Sequence, residues 1–133
     1  MKRAEQREWL VRLCYQLAMN EPENESLDEL LELHELPTNN SYLRQSLQSL
    51  RDHRQEIDRE IETHLGKRRL SDIKPVDLAI LRVAVDEMLF SKLAPVSVVI
   101  NESVEIAKTY SEENAYKFIN GVLAAVTKGS DHE

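Results

Sequence analysis

The sequence predicts an all-α protein, and three observations carry that expectation. Three Gly, four Pro and 5% aromatics stand against abundant Leu, Glu, Arg and Ala in 133 residues, a composition that favours helices over a sandwich or barrel. Apolar residues recur at three- and four-residue steps through most of the chain. Between these runs stand Pro22, Pro37, Gly66, Pro75 and Pro95, residues that stop or start helices. A chain of this length buries roughly two-thirds of the surface it exposes when unfolded. One helical domain over 1–127 and a disordered tail at 128–133 are expected.

The first helix is expected from about Arg3 to Asn20, on the face marked by Leu10, Leu13, Cys14 and Leu17. Cys14 reads as a small buried hydrophobe. At 100° per residue Arg3 and Arg7 continue that stripe upstream, with Glu5, Glu8 and Arg12 on the opposite side. Cations at a helix N-terminus oppose its dipole, a mild cost that points to use of an anion. A turn from Asn20 to Glu25 leads to Ser26-Leu27-Asp28-Glu29, a capping-box pattern. The short acidic helix that follows ends before Pro37.

A long helix is expected from about Ser41 to Leu65, where Leu43, Leu47, Leu50, Ile57, Ile61 and Leu65 stand at steps of 4, 3, 7, 4 and 4, with Gly66 as its C′ residue. Glu56, Glu60 and His64 stack on it as a surface ion-pair ladder, without the Glu-x-x-His spacing of carboxylate-bridged metal sites. Pro75 suits the first turn of the next helix, Val76 to Leu93, which is apolar on most sides and therefore central. Its polar members Asp77, Arg82, Asp86 and Glu87 must cap, pair or face a partner. Ala94-Pro95 opens a further helix through Tyr110. Its β-branched start favours a strand locally, but the helical period persists and there is no second strand to pair with. Ser111-Glu112-Glu113-Asn114 begins the last helix, with Ala115, Phe118, Ile119, Val122 and Val126 on its buried face. Gly121 in its middle implies a close backbone approach. Periodicity alone gives five to seven helices.

The formal charge of -7 is segregated. Residues 21–36 hold seven acids and no base, whereas 1–20 and 67–74 are basic, the latter through Lys67, Arg68, Arg69 and Lys74. There is no Gly-rich phosphate loop, nucleophile elbow or Cys/His metal spacing, and the adjacent acids Glu112/Glu113 and Asp86/Glu87 point to different helical faces. No catalytic residue, metal or cofactor is therefore expected. A single cysteine excludes an internal disulfide and no secretory pattern opens the chain, so a reducing cytoplasm is expected. No run approaches the ~18 apolar residues of a membrane span.

Three blocks in the second half carry a resemblance. They are Asp77-Leu78-Ala79-Ile80-Leu81-Arg82-Val83-Ala84 with Glu87; Pro95-x-x-Val98-x-Ile100-Asn101-Glu102-x-Val104-Glu105-x-Ala107-Lys108-x-Tyr110; and Lys117-Phe118-Ile119-Asn120-Gly121-Val122-Leu123. In this order they resemble the NusB family of transcription antitermination factors, free-standing rather than fused to a ribosomal RNA methyltransferase. The first half agrees in length and helix placement, and locally in its basic start, Leu13 to Leu17 and Arg69-Leu70. The resemblance implies a NusB-like bundle of about six to seven helices in the bacterial cytoplasm. It implies binding of boxA-type single-stranded RNA from ribosomal RNA leaders, together with the NusE ribosomal protein, within the RNA polymerase antitermination complex.

Carried over by position, the RNA surface would be Lys2, Arg3, Arg7, His64, Arg68, Arg69, Tyr110, Asn114, Lys117 and Phe118, and the partner face Tyr15, Met19, Asp72 and Asp77. Cations position phosphates and aromatic faces take unstacked bases. The helical spacing of Phe118 and Tyr110 equally suits a core role, and Arg82 and Asn120 read as intramolecular ties. Three matters stay open: a homodimer of the free protein, a helical protein-interaction module without RNA binding, favoured by the net acidity and by Glu5 and Glu8, and a regulatory domain acting with an RNA-modifying enzyme.

Overall fold

Seven α-helices form among the described residues of the computed structural model, which are 1–20 and 26–131, the side chains of 19, 20, 130 and 131 excepted. They are α1 (Arg3–Asn20), α2 (Leu27–Leu33), α3 (Ser41–Asp52), α4 (Arg54–Thr63), α5 (Pro75–Asp86), α6 (Val96–Tyr110) and α7 (Ala115–Asp131). A 3₁₀ turn, Leu70–Asp72, precedes α5 and a π-helical turn, Glu87–Ser91, follows it. No strand forms among these residues, so the β-branched start of α6 yields to its tertiary setting. The expected turn at 21–25 lies outside the described residues.

As its composition requires, α5 is the hub. It packs against α1, α3, α4, α6 and α7, and Ala79, Ile80, Leu81, Val83, Ala84 and Val85 are buried among Leu10, Leu13, Leu43, Leu47, Ile57, Ile61, Ile119 and Leu123. Its polar members are all tied within the chain. Asp77 accepts from Ser111 Oγ at 2.6 Å, Arg82 clasps Asp58 at 2.8 and 3.0 Å, and Asp86 accepts from Ser49 Oγ at 2.5 Å. Glu87 meets Arg7 and Tyr42.

Four expectations need correction. The helix expected over Ser41–Leu65 breaks at His53, whose backbone leaves the helical region and whose ring stacks on Phe90 at 4.3 Å. The break sits in the seven-residue step between Leu50 and Ile57, where the apolar stripe lacks an anchor. The helix expected to Leu93 ends instead in the π turn and in Lys92 at φ 51°. The last helix starts at Ala115, after Asn114 at φ 72°, rather than on the acids before it. It also continues to Asp131, three residues past the start of the expected tail; His132 and Glu133 lie outside the described residues. Gly66 takes the expected left-handed turn at φ 64°, but two residues beyond the His64 cap rather than as the C′ residue, and of the expected capping box Ser26 accepts from Glu29 N at 3.1 Å.

Candidate nucleic-acid interface

The corner where α4 ends and α7 begins gathers most of the basic and aromatic candidates. Gly66, at a φ that costs other residues strain, turns the chain after α4 and leads into exposed Lys67, Arg68 and Arg69. Arg68 swings over Phe118 of α7, its guanidinium carbon 4.7 Å from the ring centroid. Two adjoining hollows share this pair. One is lined by His64, Leu65, Gly66, Arg68, Lys117, Phe118, Gly121 and Val122. The other runs from Arg68 and Phe118 past Asn114 to Asp72, Lys74, Asp77, Glu112 and Glu113. The groove is thus basic and aromatic towards α7 and acidic towards the start of α5.

Phe118 is half-buried, packed on the core yet lining both hollows. Lys117 and Asn114 are exposed. His64 is half-buried, Nε2 3.5 Å from Glu60 Oε1, as the ion-pair ladder predicts. Arg69 donates its backbone N–H to Asp72 Oδ2 at 2.9 Å and leaves its side chain 82% exposed. Gly121 departs from expectation: an added Cβ would meet nothing within 4 Å, so the residue opens the groove floor and seats no neighbouring helix.

Arg7 also departs. It is fully buried and forms a fork on Glu87, Nε to Oε1 at 3.0 Å and Nη2 to Oε2 at 2.6 Å, with Nη1 paired to Glu102. Tyr42 donates to the same Glu87 Oε1 at 2.6 Å. Burial alone would lower the guanidinium's pKa, but the bonds to Glu87 and Tyr42 raise it, and the charge is held. Burial, with the Glu87 carboxylate, pushes the Tyr42 phenol up. The arginine therefore clamps α1 onto the π turn and α6 and presents no donor to a phosphate. Arg3 remains exposed, 4.0 Å above the Tyr42 ring, and Lys2 is exposed beside it; neither lines the groove.

Tyr110 is 44% exposed and its hydroxyl accepts from Arg12 Nη2 at 3.0 Å. Arg12 also lies 4.9 Å over Trp9. In the sequence Arg12 stands with Glu5 and Glu8 on the outer face of α1. Its bond to Tyr110 needs the return of α6, ninety-eight residues on.

The expected partner face is only partly free. Asp72 is exposed and Tyr15 is half-buried against the core. Asp77 is 8% exposed and spends an oxygen on Ser111, so it fixes the α6–α7 corner. The Met19 side chain lies outside the described residues. Arg82 is the intramolecular tie expected of it, whereas Asn120 is exposed. Among the described residues no three His, Cys, Asp or Glu side chains are placed to hold a metal, and no helix is long and apolar enough to cross a membrane.

Comparison with known proteins agrees with this architecture. The NusB family model matches residues 4–128. The transcription antitermination protein NusB of Thermoanaerobacter sp. (strain X514) is 36% identical over 129 residues, covering 96% of this chain and 91% of its own. That of Listeria innocua serovar 6a is 38% identical over 126 residues, covering 95% and 96%. Among solved structures, T. maritima NusB superposes with a TM-score of 0.82 at 30% identity over 96% of this chain and 92% of its own. The antitermination factors NusB and NusE in complex with dsRNA give 0.79 at 27% identity over 97% and 99%. With a family model spanning nearly its whole length and relatives above one-third identity, this chain belongs to the NusB family.

Proposed function

We propose that this protein is a non-enzymatic, cytoplasmic antitermination factor that binds boxA-type single-stranded RNA of ribosomal RNA leaders together with the ribosomal protein NusE, within the RNA polymerase antitermination complex. The observation that carries the reading is the α4–α7 corner, where Arg68 lies over Phe118 beside His64, Asn114 and Lys117. Cations there position phosphates, and the half-open Phe118 ring offers a stacking surface for an unpaired base. Arg69, Lys2 and Arg3 supply exposed charge outside the hollows. The relative whose structure contains NusB, NusE and dsRNA supports both kinds of partner.

Asp72, at the acidic end of the same groove, suits a basic ribosomal protein and belongs with Tyr15 to the proposed NusE face; Glu112 and Glu113 line the same hollow. The charge division also favours a second reading, a module that binds only protein. Titration of labelled boxA RNA with and without NusE separates the two. The first reading expects binding that strengthens when NusE is present; RNA that binds in neither case, while NusE binds normally, leaves the protein-only module.

A further inference from the structure

Between α1, α3, α4 and α5, away from the RNA-type corner, lies a pocket enclosing about 480 Å³ counting its mouth. Its interior proper is about 70 Å³, room for several waters or a short alkyl chain rather than for a drug-sized ligand. Its wall is apolar: Leu17 and Ala18 from α1, Leu47 and Leu50 from α3, and Ile57 from α4. The Cys14 thiol completes the wall in neutral form, since burial pushes its pKa up to about 11. Three guanidiniums, Arg51, Arg54 and Arg82, stand at the edge.

These three are not equivalent. Arg82 is saturated by its fork on Asp58. Among the described residues Arg51 and Arg54 form no ion pair with a carboxylate. Arg51 Nη2, moreover, is buried without any hydrogen-bond acceptor. Buried guanidinium N–H groups are nearly always satisfied, because leaving one unpaired costs its full desolvation. Apolar walls hold nothing for a sugar or nucleobase edge to bond, and the guanidiniums repel a cation. An aliphatic body ending in a planar anion fits both halves, since a carboxylate matches the guanidinium fork.

We propose that this pocket is a binding site for a small aliphatic carboxylate, its chain against Leu17, Leu47, Leu50 and Ile57 and its head on Arg51 and Arg54. The site shares no residue with the RNA-type groove, so it stands whether or not that groove binds RNA.

Sodium hexanoate titrated into the full chain, followed by methyl ¹H–¹³C spectra, tests it. Saturable shifts at the Leu17, Leu47, Leu50 and Ile57 methyls are expected, with a Kd on the order of 1 mM for so small a ligand. Hexanol and hexylamine at the same concentrations should give far smaller shifts. Arg51→Gln should weaken hexanoate binding by about tenfold or more, with exposed Arg54→Gln as the companion variant if the first fails to fold. Absence of saturable shifts, equal shifts with hexanol, or undiminished affinity in the folded variants overturns the assignment.

Discussion

Arg7 shows how a residue's role can be set by a partner far away in the sequence. Its place on the apolar stripe of α1 is legible in the sequence, while the family resemblance puts it on the RNA surface; Glu87, eighty residues on, takes it inside. A buried ion pair that loses one member leaves the other charge uncompensated, so Arg7→Ala should cost about 3–5 kcal/mol in urea unfolding. Any loss of RNA affinity in that variant should follow the unfolded fraction. Phe118→Ala should behave in the opposite way. Half-buried, it should lose less stability than the ~3–5 kcal/mol of a fully buried Phe, but ~1–3 kcal/mol of RNA affinity. A collapsed melting temperature with unchanged affinity per folded molecule would make Phe118 a core residue only. Asp86 gives a third case. Burial pushes its carboxyl up from 3.8 to about 6, with Ser49 and His53 offsetting part of the rise. The folded chain then holds the proton more tightly than the unfolded one, so this group's contribution is full at low pH and is lost as pH rises through about 6. Asp86→Asn should therefore gain stability relative to the parent as pH rises from about 4 to about 6 in paired urea titrations; a pH-independent difference would contradict this.

At the level of elements, helix type and order followed from apolar spacing, because a 3.6-residue stripe and a well-placed Pro or Gly are local properties. The interruptions were less legible. His53 and the π turn after Asp86 depend on packing between α3, α5 and the Phe90 ring, contacts that no window of sequence contains. Gly121 reads as a packing glycine from helical position alone, whereas the fold leaves its surroundings open. With nothing within 4 Å of an added Cβ, Gly121→Ala should raise stability by about 1 kcal/mol through helix propensity. A loss of stability in denaturant titration would restore the close-approach reading.

For the molecule as a whole, the charge pattern matters more than its sum of -7. The sequence already separated an acidic block at 21–36 from basic stretches at the start and at 67–74. It could not show that the second stretch meets α7, since that requires α4 and α7 to pack together. Nor could it show that Asp77 is spent on Ser111 rather than left for a partner. The exposed cations Lys2, Arg3, Arg68, Arg69 and Lys117 remain for phosphate contact once Arg7 is withdrawn. The most direct measurement is the salt dependence of boxA RNA affinity for the chain bound to NusE, compared with the Arg68→Glu, Arg69→Glu double variant. About four to five neutralised phosphates on a single strand predict a log–log slope of about -2.8 to -3.5, reduced by one or more in the variant, with affinity lost almost independently of RNA sequence. A slope near zero, or one the double variant leaves unchanged, would contradict RNA binding at this corner.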